Sequence, residues 1–124
     1  MASIPTLDSG FTRVTELRAP PPEARLALLR RAKELGIEVG VVVAPIITRS
    51  GWRQDLERLF KALAELQPSV VYGESLHARG LNLARLRAAG VEAQAGPAVD
   101  GEVGRVFEEL LWEHGLRGAY WREY

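Results

Sequence analysis

The densest group of polar side chains able to do chemistry is Glu74, His77, Arg79 and Asn82, directly after the apolar segment Ser69–Gly73. A carboxylate near an imidazole is the material of general acid/base catalysis, because histidine titrates near neutrality. Both are also metal-ligand types, but two ligands do not make a site. No nucleophile accompanies the pair, and a polar loop after a strand is the plain alternative. A second group lies near the start: Ser3, Thr6 and Asp8, with Arg13 beyond. A threonine hydroxyl and a carboxylate suit recognition of a diol. They equally suit capping and turning of the chain. Arg13 has the fork to hold a carboxylate or phosphate, or it simply stands on the surface. His114, beside Glu113 late in a predicted helix, complements that helix's negative end. There is no GxSxG, no HExxH, no phosphate-cradling glycine loop and no paired-carboxylate signature. Cysteine is absent, which excludes disulfides, thiolate zinc sites, cysteine nucleophiles and cysteine-ligated iron–sulfur clusters within this sequence.

The elements that must position these groups follow from pattern. Ala2–Leu7 reads as a short extended segment, with Pro5 restricting it to a sheet edge or strand end. The polar stretch after it runs to Pro20-Pro21-Pro22, a helix-start signal that Glu23 reinforces. That helix is predicted to run to about Leu35, with Leu28, Leu29, Ala32 and Leu35 inward, Arg25, Arg30 and Lys33 to solvent, and Gly36 as its stop. Ile37–Ile47 is continuously apolar and β-branched at its centre, the mark of a strand covered on both faces. Trp52–Gln67 is the clearest amphipathic helix, with Trp52, Leu56, Leu59, Phe60, Leu63 and Leu66 on one stripe and Pro68 at its end. Ser69–Gly73 is a second buried strand. Leu81–Ala89 is a short helix stopped by Gly90, and Val91–Ala95 is a candidate third strand. Asp100 is the expected N-cap of a helix carrying Val103, Val106, Phe107, Leu110 and Leu111, closed by Gly115. The aromatic tail, with Trp121 and Tyr124, is expected to pack or to form a docking patch.

Strands beginning near residues 2, 37 and 69 are separated by roughly 30 residues or more, the length of a βαβ unit. The fold class is therefore α/β, with a short parallel sheet flanked by helices, right-handed crossovers and one domain over 1–124. So few strands leave an exposed sheet edge, which implies a partner, a second copy or a missing half. The 124 residues are 47% hydrophobic and 26% charged, an ordinary globular composition. The 16 basic and 16 acidic residues cancel, so no overall field draws nucleic acid or an anionic membrane. The longest apolar run, Val41 to Ile47, falls far short of the about 20 residues of a membrane helix. The start lacks a secretory pattern, so a cytoplasmic location is expected.

Several segments in order carry a family resemblance: SIPTLD, FTR, AP-P-EARL, VGVVVAPII and YGESLHARGLNL, from Ala2 to about Leu83. This succession resembles the radical S-adenosylmethionine enzymes, in the branch of spore photoproduct lyase and the DNA repair photolyase-like proteins. VFEELLWEHGLRGAYW, Val103–Trp121, is similar to the family's C-terminal helix and aromatic end. Two places depart from the family: Thr48-Arg49-Ser50 stands where a Pro-Gly turn is common, and Glu16-Leu17 with Arg18-Ala19-Pro20 stands for an acidic-proline pair. The resemblance covers only the C-terminal part of the family's barrel and begins at Met1. It implies half of a TIM-type β/α barrel whose strand ends meet S-adenosylmethionine, through Ser3, Thr6 and Asp8 at the ribose, through Ala44, Pro45 and Ile47 beside the adenine, and through Glu74 and His77. The plain reading of the Ala44–Ile47 segment is core.

The family's chemistry resides in its cluster and cofactor. Without cysteine, the isolated chain is not expected to perform it. Two functions follow as expectations. The chain is a C-terminal half, either a subunit of a split lyase-like enzyme completed by a cysteine-containing N-terminal half chain, or an inactive remnant. Alternatively it is a non-catalytic α/β module that self-associates, as a homo-oligomer, and binds a small nucleoside-like ligand. A nucleic-acid-binding role ranks last.

Overall fold

The computed structural model describes residues 1–16 and 18–122. Leu17 and Tyr124, singled out above, lie outside the described residues. The elements are β1 (Ala2–Ser3), α1 (Ser9–Thr15), α2 (Pro22–Glu34), β2 (Gly40–Ile46), α3 (Trp52–Leu66), β3 (Val70–Ser75), α4 (Asn82–Ala88), α5 (Pro97–Glu113) and β4 (Gly118–Tyr120). The four strands form one sheet in the order β1-β2-β3-β4, every neighbouring pair parallel. Ala2 aligns with Val41, Val41 with Val71, and Val71 with Gly118.

Register divides the sheet into two unlike faces, because successive side chains of a strand point to opposite sides. Val41, Val43 and Val71 are fully buried under α2, α3 and α5, and Ile4, just beyond β1, joins them. Leu26 and Leu29 come from α2, Leu56 to Leu66 from α3, and Val103 to Leu111 from α5. Phe60 meets Phe107 edge-on at 5.1 Å between ring centroids, where α3 crosses α5. The row Ser3, Val42, Tyr72 and Ala119 shares the other face, and Tyr72 is 45% exposed there. β2 and β3 are thus covered on one side only, which corrects the expectation of two covered faces. The run IEVGVVVAPII is apolar on both sides although the described elements bury just one.

Local chemistry explains the helices. Pro97, not Asp100, opens α5: Gly96 is the cap residue and Asp100 sits a turn inside the helix. α3 ends at Gln67 in a left-handed conformation, and Lys33 of α2 donates to the carbonyl oxygens of Leu66 and Gln67 at 2.7 and 2.8 Å. Lys33 is therefore a cap for its neighbour rather than a free surface charge. The inward face of α2 is Leu26 and Leu29, whereas Leu28 and Leu35 are exposed. Arg25, also expected in solvent, donates to Ser3 O at 2.8 Å, Pro20 O at 3.0 Å and Glu16 at 2.9 Å. It fills the outer side of β1.

Three assignments change. The polar stretch after Leu7 contains α1, capped by the Asp8 carboxylate, which accepts from Phe11 N at 3.0 Å. Val91–Ala95 is irregular rather than a strand, and Val91 and Ala93 join Ile47 and Leu76 in a second apolar cluster beyond the C-terminal ends of β2 and β3. The fourth strand comes instead from the aromatic tail. Among the described residues, no helix is long and apolar enough to cross a membrane.

Candidate functional site

The open face of the sheet continues into a hollow at the C-terminal strand ends. A groove of about 580 Å³ is lined by Val42, Tyr72, Gly73, Ala119 and Trp121, with Glu74 at its margin. Glu74 and Trp121 also line the adjoining hollow, about 600 Å³, together with Pro45, His77, Arg79 and Arg122. Both volumes lie in the range of small-molecule sites, and an apolar shelf with a few polar groups at one end is their usual make-up. Trp121 is 73% exposed on this shelf. Its position is fixed by its backbone, which donates to Gly73 O at 2.7 Å.

Of the predicted site residues, the fold brings Pro45, Glu74 and His77 into one hollow. Ser3 lies on the open face, where its hydroxyl donates to Ala44 O at 3.3 Å, so Ser3 and Ala44 are neighbours across β1 and β2. Ile47 is buried in the second apolar cluster with Leu76. Thr6 and Asp8 belong to a different constellation. The buried Thr6 hydroxyl donates to Asp55 Oδ2 at 2.5 Å and accepts from Asp8 N at 3.0 Å. Asp8 caps α1 and pairs with Arg49 at 3.4 Å. Arg49 also reaches Asp55 at 3.5 Å and stacks 4.1 Å above the Phe11 ring. This network ties the end of β1, the start of α1 and the β2–α3 loop together. Thr6, Asp8 and Asp55 Oδ2 are engaged within it, while the buried Asp55 Oδ1 has only Arg58 nearby, at 3.7 Å. Asn82 serves its own turn: its carboxamide oxygen accepts from Arg79 N and Leu83 N, and its nitrogen donates to His77 O. Arg13 lies in the last turn of α1. His114, the C-cap of α5, has Nδ1 3.0 Å from Leu110 O, in line with its expected place at the helix end.

A second polar cluster was not foreseen. Asp100, 2% exposed, accepts from Ser75 Oγ at 2.9 Å and from the Tyr120 hydroxyl at 2.7 Å. The same Tyr120 oxygen accepts from Ser75 N at 3.0 Å. Burial, with the Asp100 carboxylate adding to it, raises the phenol's pKa well above its ordinary value. The cluster joins the end of β3, the first turn of α5 and β4, and so fixes the strand that carries Trp121. The signal for Asp55 and Asp100 lay in the sequence. Asp55 is three residues after Trp52 and four before Leu59, and Asp100 is three before Val103, so each carboxylate sits on the apolar stripe of its helix.

Fit to the cofactor chemistry divides in two. A cluster of the family type has no thiolate here, since the sequence holds no cysteine. Among the described residues, no group of three or more His, Asp or Glu side chains converges as a metal set. Tyr72 and Trp121 offer aromatic surface on the shelf, and Glu74 a carboxylate.

In comparisons with known proteins, no family model matches the sequence and no solved structure matches it. The chain is similar to an uncharacterised protein, ORF301, of Acidianus two-tailed virus, with 44% identity over 126 aligned residues. The match takes in 98% of this chain but only 42% of the viral protein.

Proposed function

We propose that this chain is the rear half of a TIM-type β/α barrel of the radical S-adenosylmethionine kind, in the spore photoproduct lyase-like branch. In this reading it lends a nucleoside-binding shelf to a cysteine-bearing half that holds the cluster. One observation supports it above others: four parallel strands follow each other in sequence order, with the packing helices on one face and an apolar opposite face. A barrel segment has this form, because its helices all lie outside and its inner side chains meet only when the ring closes. S-adenosylmethionine would rest with its base against Tyr72 or Trp121 and its ribose at Glu74, with Ser3, Ala44, Pro45 and His77 around it. The cofactor and its cluster supply the radical chemistry when present; this chain binds and orients. Alone it is inactive, and in the cell it is cytosolic. Calorimetry with S-adenosylmethionine tests the reading. Heat that Glu74→Gln removes, with the fold intact by circular dichroism, is the expected result. A thermally silent titration of the wild-type chain at millimolar ligand would end it.

The open apolar face and zero net charge also favour a second reading, a non-catalytic module that self-associates and binds a nucleoside-like ligand. Sedimentation equilibrium decides this one: a strict monomer at high concentration is incompatible with it.

A further inference from the structure

We infer that the shelf selects its ligand by positive charge: Tyr72, Trp121 and Glu74 form a recognition corner for an alkylated onium group, a quaternary ammonium or a sulfonium. The inference rests on the reading of the shelf as a small-ligand site and adds the chemistry of that ligand.

The corner is a product of register. Tyr72 pairs with Ala119 and Gly73 with Tyr120, so Glu74 and Trp121 come next on the two strands. Side chains alternate along a strand, which puts Tyr72 and Glu74 of β3 on the face shared by Ala119 and Trp121. All four line one groove of about 580 Å³, completed by Val42. The backbone of Trp121 is held to Gly73 O, and both aromatic side chains are exposed, so their surfaces are open to a guest.

The charge of the guest follows from the lining. The face of an aromatic ring is negative and attracts a cation placed over it. Among the described residues, Glu74 is the one charged side chain that lines this groove. Arg122 borders the adjoining hollow, where it pairs with Glu108 and lies 5.3 Å from the centroid of the Tyr120 ring. A neutral guest on the shelf would strip water from the Glu74 carboxylate without replacing it. A cation compensates that loss.

The type of cation follows from the shortage of acceptors. A primary ammonium brings three N–H donors, and an apolar groove with one carboxylate serves them poorly. An alkylated onium has no such donors. It carries its charge beneath methyl or methylene groups, so apolar contact, ring faces and one counter-charge satisfy it. In S-adenosylmethionine the sulfonium is one methylene from the ribose, so a ribose at Glu74 would bring the positive sulfur to this corner.

Titrations followed by heteronuclear NMR at the Trp121 indole N–H test the inference, with Trp121→Leu to assign the signal. The probes are choline, its neutral carbon isostere dimethylbutanol and the primary amine ethanolamine, at matched ionic strength. Choline should bind about tenfold or more tightly than either of the others. Glu74→Gln should weaken choline about fivefold or more and leave the isostere unchanged. Tyr72→Leu, at an exposed position, should bring choline down to the level of ethanolamine. Equal affinity for choline and the isostere, equal affinity for choline and ethanolamine, or no response to choline overturns the inference. S-adenosylmethionine and S-adenosylhomocysteine, which is neutral at sulfur, separate it from the nucleoside reading. Choline binding beside two silent nucleosides supports the onium corner and ends that reading. Equal binding of both nucleosides with no response to choline does the reverse. Where both cations bind, tighter S-adenosylmethionine identifies a sulfonium as the source, and tighter choline a quaternary ammonium.

Discussion

Tyr120 and Thr6 show how single polar groups hold this molecule together. Tyr120 joins β4 to β3 and α5 through a buried carboxylate and a backbone amide. Tyr120→Phe removes both bonds and leaves Asp100 with one donor fewer. A loss of about 1–2 kcal/mol in urea unfolding is expected. Ionisation adds a pH dependence. The folded-state pKa of Tyr120 is raised, so its contribution is fully present below the ordinary phenol value of about 10 and is lost as pH rises beyond it. The unfolded chain gives up the proton first, and alkali therefore favours unfolding. The urea midpoint should fall above about pH 10, and Tyr120→Phe should flatten that fall. Thr6→Val tests the other network. It removes the hydroxyl that donates to the buried Asp55 carboxylate, at a cost of about 2 kcal/mol in the same assay. The ligand binding proposed for the Glu74 shelf should be unaffected by this change, because the Thr6 hydroxyl is engaged with Asp55.

At the scale of elements, the tightest fit is between β3 and α5. A Cβ at Gly73 would clash with the Cδ2–Cε2–Cζ side of the Phe107 ring. Gly73→Ala should therefore force β3 and α5 apart and cost about 1–3 kcal/mol through overpacking. Thermal denaturation measures it, and an unchanged midpoint would mean that α5 moves freely over the sheet. The helices themselves were largely legible. α3 followed from its stripe and from Pro68, and α5 from Val103, Phe107 and Leu110 with Gly115 beyond. α1 was not legible, because Phe11 and Val14 are too few to make a stripe and its stability comes from the Asp8 cap and the Arg49 network. β4 was missed for a related reason: Gly118-Ala119-Tyr120 has no strand pattern of its own and is a strand by virtue of its pairing with Val71–Gly73. Of the inward face expected for α2, Leu29 and Ala32 pack on the core while Leu28 and Leu35 are exposed and Leu26 takes their place, a choice that only the neighbouring core decides.

For the molecule as a whole, the consequence of the strand order is asymmetry. One face of the sheet holds the entire main core, and the other holds Tyr72 and Trp121 in the open. The parallel α/β class was determined by the sequence itself: β-branched runs separated by amphipathic helices at βαβ spacing have few other solutions. So was the lack of any thiolate for a metal cluster. Tertiary structure alone decided which face is covered, because Val42 and Val43 are chemically identical and only register with Tyr72 and Gly73 assigns them to opposite sides. It likewise decided that Thr6 and Asp8 face Asp55 and Arg49 while Pro45, Glu74 and His77 share a hollow. Thr6 and Asp55, Asp8 and Arg49, and Pro45 and Glu74 each meet across more than 25 residues of chain, and no local pattern encodes which distant partner a hydroxyl or carboxylate will find.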